Sequence, residues 1–203
     1  MMVHNMKNPE LRGPLMAPVN YESEQGLEEE LRLEAEQVFE HLVASSIGEG
    51  ESGIVVNFGN PKYAGFCLKY HKIEYKPQEF RNLQLAFAAG KQVPKPIVEI
   101  PEKHGFIMER VKEAKTLKEL KDLGYKFTSE IMDEVREISM DFCKHFTHND
   151  FFERNIMLEN VLVEDGIVTE GTPIIIDLER MEVGKSDEYQ RVRSWFRNCM
   201  ATS

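Results

Sequence analysis

Four polar residues in the second half of the chain have the types and the spacing of a site for metal and phosphate. His148, Asp150 and Asn155 form the pattern HxDxxxxN, and Asp177 follows Asn155 by 22 positions at the end of an apolar run. An aspartate in this place can orient an attacking hydroxyl group and accept its proton, while an asparagine and a second aspartate offer the oxygen ligands that Mg²⁺ prefers. We therefore expect Asp150 to be a catalytic base, and Asn155 and Asp177 to bind Mg²⁺, with Mn²⁺ as an alternative ion.

The polar neighbours of these residues have simpler interpretations. His148 is expected to orient the loop through a hydrogen bond rather than to transfer protons. Glu153 and Glu179 could contact metal or water, but both are expected to be ordinary exposed carboxylates. An aspartate at the end of a buried strand can also cap a turn. The joint spacing of positions 150, 155 and 177 favours chemistry over that alternative.

A glycine-rich stretch in the first half has the pattern GxGxxGxV, with Gly48, Gly50 and Gly53. Glycines let backbone N–H groups approach phosphates closely, because no Cβ stands in the way. A tight hairpin turn explains the pattern equally well when it is taken alone. The stretch runs into a predicted strand, whereas a dinucleotide-binding loop runs into a helix. It is therefore predicted to cover ATP phosphates.

Lys69 ends the run Phe-Cys-Leu-Lys on a predicted strand, and Glu79 is the first acidic residue of the next predicted helix. Kinases hold the α- and β-phosphates of ATP with such a lysine, which a glutamate steadies. We expect Lys69 and Glu79 to form this pair. Lys72 is a competitor for the lysine role, and a solvent-facing lysine is the simpler alternative for either.

Apolar spacing predicts the elements of the first half. Residues 1–25 contain three prolines and little periodicity, and are predicted to be a flexible arm. The runs 54–58 and 65–70 flank a Gly-Asn-Pro turn and predict an antiparallel hairpin. An amphipathic helix is predicted from apolar residues at helical spacing, which are Leu27, Leu31, Ala35, Val38 and Leu42.

The remainder of the first half predicts a second helix and two more strands. The helix covers 79–89 and ends at Gly90, and the strands lie near 97–100 and 105–111. Between helix and strands, Val93-Pro94-Lys95-Pro96 is predicted to be extended, since prolines exclude helix there. The buried face of the helix is predicted to consist of Phe80, Leu83 and Phe87.

The second half is predicted to be mostly helical. A helix with Ser129 as N-cap is followed by strands near 155–158, 161–163 and 173–178 and by a last helix from about Ser186. The buried stripe of the first of these helices is predicted to be Ile131, Val135, Ile138, Phe142 and Phe146. The fold class is therefore α+β, with a β-rich N-terminal lobe at 26–112 and a truncated C-terminal lobe at 113–203.

Composition limits the partners. The net charge of −10 argues against binding nucleic acid by general phosphate neutralisation. The sequence holds no apolar run long enough to cross a membrane and no secretory h-region, and its three cysteines indicate neither a disulfide framework nor a zinc site. We expect a cytoplasmic protein without membrane or nucleic-acid partners.

Together these motifs resemble the protein-kinase-like superfamily, and within it the RIO-type atypical serine/threonine kinases most closely. The resemblance covers about residues 47–196. Its stretches are IGEG from 47, FCLKYH from 66, VPKPI from 93, GFIME from 105, HNDF to Leu158, and IID to 177. It implies two lobes with ATP in the cleft between them and a hinge near 108–111, with Met108 and Glu109 contacting ATP.

The resemblance implies an ATP-dependent serine/threonine kinase or ATPase with a protein substrate. The chain departs from conventional protein kinases at Asn149 and Phe152, and at Leu178-Glu179 after the metal aspartate. Only 26 residues follow Asp177, so we expect no full substrate-binding subdomain. The alternatives are a small-molecule kinase of the aminoglycoside or choline type and a nucleotide-binding pseudokinase that acts as an interaction module.

Overall fold

The computed structural model describes residues 24–39, 46–49, 53–148 and 153–184 of the chain. The predicted arm at 1–25 and the predicted last helix from about Ser186 fall almost wholly outside these ranges, and so do Gly50 and Asp150. No helix within the described ranges is both long and apolar enough to cross a membrane.

A five-stranded antiparallel sheet forms most of the first half, in the order β1-β2-β3-β5-β4. Its strands and the two helices of this half follow one another as α1 Glu24–Phe39, β1 Ser46–Glu49, β2 Gly53–Asn57, β3 Phe66–His71, α2 Pro77–Ala88, β4 Pro96–Ile100 and β5 Gly105–Glu109. The predicted hairpin is present as β2 and β3, with Val55 opposite Lys69. The predicted amphipathic helix is α1, which packs Leu31 and Ala35 into a core with Val56 and Leu68.

The second half builds a four-stranded sheet in the order β6-β9-β10-β7 and a two-stranded pair of β8 with β11. Its elements are β6 Lys115–Thr116, α3 Leu117–Asp122, β7 Lys126–Phe127, α4 Ser129–Cys143, β8 Phe146–His148, β9 Ile156–Glu164, β10 Ile167–Ile175 and β11 Met181–Val183. Among the described residues this half contains more strand than helix, because β9 and β10 extend into a long hairpin around the positive-φ turn at Asp165-Gly166.

A shared core joins the two halves where the candidate site lies. Phe80, Leu83 and Ala86 of α2 and Phe106 of β5 pack with residues of the second half, which are Phe142, Phe146, Ile175, Leu178 and Met181. The backbone N–H of Ile175 also donates to the carbonyl of Gln92, at 2.9 Å. These contacts hold the end of β10 beside α2.

Three details of the sequence prediction are wrong. Thr128, not Ser129, caps α4, since its side chain accepts from the N–H of Ile131. Phe146 belongs to β8 rather than to the stripe of α4. Phe87 is exposed, whereas Ala86 is fully buried on the core face of α2. By contrast Gly90 ends α2 in the left-handed region as predicted, with φ of 70°. The division of the chain at residue 112 stays a prediction.

Candidate active site

Lys69, Glu79 and Asp177 come from three different elements and meet in one cluster. Lys69 lies on β3, Glu79 in the first turn of α2, and Asp177 just beyond β10. The ammonium Nζ of Lys69 donates to Glu79 Oε1 at 2.5 Å and to Asp177 Oδ1 at 3.1 Å. The structure therefore brings together a predicted lysine–glutamate pair and a predicted metal ligand that is 108 positions away from the lysine in sequence.

Close strand packing fixes the position of Lys69. Lys69 pairs with Phe106 of β5 in register, and Tyr70 with Gly105. A Cβ at Gly105 would stand 2.6 Å from the carbonyl oxygen of Lys69, so only glycine allows this approach. The side chain of Lys69 is then directed toward α2, where Glu79 is 3% exposed.

Mutual attraction keeps Lys69 and Asp177 charged. Burial lowers the pKa of Lys69, but the carboxylates of Glu79 and Asp177 outweigh burial, and the pKa is raised above its usual range. Burial raises the pKa of Asp177, but the ammonium of Lys69 outweighs it, and the pKa is lowered. Lys69 is therefore a cation and Asp177 an anion at neutral pH.

His71 completes the contacts of Glu79, and sequence analysis missed it. Its Nε2 lies 2.8 Å from Glu79 Oε2, and its ring is fully buried. Lys69 and His71 are two residues apart on β3, so their side chains share a face of the strand. This alternation was a signal in the sequence, since both side chains contact Glu79 in the first turn of α2.

The turn after β10 sets the direction of Asp177. Asp177 adopts the left-handed conformation with φ of 59°, and a 3₁₀ turn covers Leu178–Arg180. Asn82, buried on α2, donates its amide Nδ2 to the carbonyls of Leu178 at 2.7 Å and Met181 at 3.0 Å. The carboxamide of Asn82 thus binds α2 to the turn that carries Asp177. No sequence motif pointed to Asn82.

The structure places Asn155 next to this turn. Asn155 ends a 3₁₀ turn just before β9 and is 3% exposed. Its carbonyl accepts from the N–H of Ile176 at 2.9 Å, one residue before Asp177. His148 is also buried, and its Nε2 lies 3.4 Å from the carbonyl of Ile176. The contact agrees with the structural role expected for His148. Asp150 lies outside the described residues.

Glu179 belongs to the same acidic group. One oxygen each of Glu79, Asp177 and Glu179 lies within 4.8 Å of the others. The side chain of Glu179 is 20% exposed and ion-pairs with Lys76 at 2.6 Å, so the expectation of an ordinary exposed carboxylate is wrong. The same expectation is wrong for Glu153, whose side chain is 26% exposed and pairs with Lys121 of α3 at 2.5 Å. The three carboxylate oxygens at this place fit a hard divalent cation such as Mg²⁺.

Gly48 and Gly53 of the glycine-rich stretch differ in how closely the neighbouring strand approaches them. Gly53 begins β2, and a Cβ there would stand 2.6 Å from the carbonyl oxygen of Tyr70. Gly48 lies on β1, where a Cβ would meet nothing closer than Val55 Cβ at 4.0 Å. Sheet packing therefore requires glycine at 53 but not at 48. Covering of phosphates by Gly48, Gly50 and Gly53 stays a prediction.

Two further predictions concern the rim of the site. Lys72, the competitor of Lys69, pairs with Glu49 of β1 at 2.5 Å instead of with Glu79. Met108 and Glu109 are the last residues of β5, as the predicted hinge requires. The N–H of Glu109 donates to the carbonyl of Lys95 at 2.8 Å. Contact of Met108 and Glu109 with ATP stays a prediction.

The fold is similar to that of structures of Rio2 kinase. The chain is similar to a structure of the Rio2 kinase from Chaetomium thermophilum in an ADP/Mg²⁺–phosphoaspartate complex, with a TM-score of 0.56 and 17% identity over 80% of this chain and 57% of that one. A second structure of Rio2 kinase from that organism gives a TM-score of 0.55 and 17% identity, over 80% of this chain and 58% of that one. The chain thus spans less than three fifths of that kinase. The predicted α+β, kinase-like fold is confirmed.

The sequence model of the RIO domain matches residues 66–181, which is more than half of the chain. This protein therefore belongs to the RIO domain family, and the resemblance stated from its motifs is confirmed. A search of curated proteins found no match. The matched range begins at β3 and ends at the first residue of β11, so it contains Lys69, Glu79, Asn155 and Asp177.

Proposed function

We propose that this protein is an ATP- and Mg²⁺-dependent phosphotransferase, an atypical serine/threonine kinase or ATPase of the RIO type. One observation carries the proposal: Lys69 Nζ on β3 contacts both Glu79 Oε1 on α2 and Asp177 Oδ1 just beyond β10. Membership of the RIO domain family and the likeness to a kinase crystallised with ADP and Mg²⁺ support it.

Each side chain has a defined task in this proposal. Lys69 stays cationic and aligns the α- and β-phosphates, while Glu79 holds its ammonium in place. Asn155 and Asp177 hold the divalent ion, with Mn²⁺ as a substitute for Mg²⁺. When bound, the ion neutralises charge on the transferring phosphoryl group. Asp150 orients the acceptor hydroxyl and takes its proton. Positioning and electrostatics supply most of the rate in such chemistry.

The proposal extends to partner and compartment. The acceptor is a serine or threonine of a protein substrate, or water if ATP hydrolysis is itself the output. The compartment is the cytoplasm. Cys67 and Cys143 are buried free cysteines, which suits a reducing environment.

Transfer from γ-labelled ATP tests the proposal. Purified protein is incubated with Mg²⁺, with Mn²⁺ or with a chelator, and released phosphate and labelled species are measured. Asp177→Asn removes a charged metal ligand, and we expect turnover to fall by about 10²-fold or more. Asp150→Ala should abolish transfer but keep ATP binding.

Asp165→Asn is the matched control for Asp177→Asn. Asp165 also has a left-handed conformation, with φ of 50°, but it lies in the exposed turn between β9 and β10. Its variant should keep wild-type turnover. Equal turnover in wild type and Asp177→Asn would refute the proposal. A labelled small molecule from cell extract would instead favour the aminoglycoside or choline type, and ATP binding without turnover would favour the pseudokinase.

A further inference from the structure

His71 makes a contact that the proposed mechanism does not use. We infer that His71 is a positioning residue, which fixes the carboxylate of Glu79 so that Lys69 remains shared between Glu79 and Asp177. The inference deepens the proposed function and rests on it. His71 is fully buried, so it does not touch nucleotide or acceptor, and it acts through Glu79.

The two oxygens of Glu79 are divided between two donors. Oε1 accepts from Lys69 Nζ at 2.5 Å, and Oε2 lies 2.8 Å from His71 Nε2. The Glu79 side chain is 4% exposed, so water cannot replace a lost donor at low cost. With both oxygens bound, the carboxylate plane has one orientation, and that orientation directs Oε1 at the lysine.

The backbone just before α2 selects the tautomer of His71. The N–H of Lys76 lies 3.5 Å from Nδ1, and a backbone amide can only donate there. Nδ1 is therefore the acceptor, and Nε2 carries the hydrogen that Glu79 Oε2 accepts. This assignment gives both ring nitrogens and both carboxylate oxygens of the pair a partner.

The surroundings of His71 leave its ring little freedom to turn. The N–H of His71 donates to the carbonyl of His104 at 2.8 Å, which fixes the end of β3. The ring packs against Tyr75 and Phe106, with centroid distances of 5.6 and 6.0 Å. A ring held in this way determines where its Nε2–H points, and therefore where the Glu79 carboxylate lies.

Loss of this donor should affect the site in a definite way. Oε2 of Glu79 would become a buried acceptor without a partner, which favours rotation of the carboxylate. That rotation weakens the hold of Glu79 on Lys69. The ammonium would then associate more closely with Asp177, the aspartate that the proposed mechanism needs for the metal ion. His71 in this way keeps Asp177 available.

Steady-state kinetics with His71 variants test the inference. His71→Leu keeps the approximate volume but removes the donor, and His71→Gln can offer its amide Nε2 in place of the ring N–H. We expect His71→Leu to lower kcat about 10-fold, by analogy with residues that orient metal ligands, and to change the KM for ATP less. His71→Gln should restore most of kcat.

A second background separates positioning from a general packing role. In Glu79→Gln protein the carboxylate is already gone, so adding His71→Leu should leave kcat unchanged from that of Glu79→Gln alone. A full additional loss there, or wild-type kcat in His71→Leu, would overturn the inference. An inactive wild type would instead refute the proposed function.

Nitrogen NMR of histidine-labelled wild-type protein gives a measurement that needs neither activity nor a variant that folds. We expect the signals of His71 to report a hydrogen on Nε2 and a bare Nδ1. A hydrogen on Nδ1, or fast exchange between the two forms, would overturn the inference even if every variant were too unstable to assay.

Discussion

The two sides of the candidate site hold their residues by different means. On the β3–α2 side, Lys69, Glu79 and His71 are fixed by bonds between buried side chains. On the β9–β10 side, Asp177 and Asn155 are placed by backbone geometry, through a left-handed residue and the bond from Ile176 N–H to the carbonyl of Asn155. The side chains themselves are 12% exposed at Lys69 and 37% at Asp177.

This difference predicts how stability and activity are distributed. A buried charge that loses its partner costs free energy of folding, so substitutions on the β3–α2 side should lower both stability and activity. Where backbone bonds fix the position, the side chain can change with little effect on folding. Substitutions of Asp177, whose side chain is partly exposed, should therefore act mainly on activity.

Lys69→Met should have the largest effect of the substitutions that test this difference between the two sides. It leaves Glu79 buried with one donor fewer, and we expect a loss of about 3 kcal/mol in the free energy of unfolding. Turnover should fall by about 10²- to 10³-fold, since a phosphate-binding cation is lost. Urea unfolding and labelled-ATP transfer measure the two effects.

Lys72→Met is the matched control, because its ion pair with Glu49 is more exposed. We expect it to change stability by less than about 1 kcal/mol and to leave turnover near that of wild type. Equal losses from the two lysine variants would mean that burial of Lys69 has no special weight.

Two glycines of the first sheet allow a test of how backbone packing affects stability within one motif. Gly53→Ala forces a Cβ against the carbonyl of Tyr70, and we expect it to lower the free energy of unfolding by about 1–3 kcal/mol. Gly48→Ala would meet only Val55 Cβ, at 4.0 Å, and should change this free energy by less than about 1 kcal/mol. If Gly48 covers phosphates, its variant should still raise the KM for ATP. A stable Gly53→Ala protein would contradict the packing argument.

The smallest expected effect concerns the pH dependence of stability. The pKa of Asp177 is lowered from 3.8, so the stability that its pairing contributes is fully present above that pH and is lost as pH falls through the lowered value. Asp177→Asn lacks this contribution. The difference in unfolding free energy between the two proteins should therefore shrink on acidification. A difference that is constant with pH would show that the ion pair to Lys69 adds nothing.

Sequence was sufficient for the elements whose signal is local. Helix periodicity located α1, the turn residues located the β2–β3 hairpin, and Gly90 located the end of α2. The Lys69–Glu79 contact was also predictable, because a strand that leads into a helix brings those positions together. Asp177 was recognised from its spacing to Asn155, although its distance to Lys69 depends on the packing of two halves.

The remaining features depend on contacts that no pattern in the sequence indicates. Asn82 binds two carbonyl groups, and a carbonyl is present at every residue, so nothing in the sequence marks its partners. Thr128 and Ser129 are both good N-caps, and only the first helical turn decides between them. Phe87 fits the apolar stripe of α2, but the small Ala86 occupies the position nearest the shared core.

Asn82 also limits the conformational changes by which this protein could be inactivated. Its two hydrogen bonds latch α2 to the segment behind Asp177. An inactive form in which this helix moves outward would break both hydrogen bonds. Each carbonyl group that then remains buried without a donor would cost about 1–3 kcal/mol of free energy. Regulation by movement of α2 therefore has a free-energy cost in this protein. Regulation through the supply of nucleotide, or through a partner that covers the site, does not break these two hydrogen bonds.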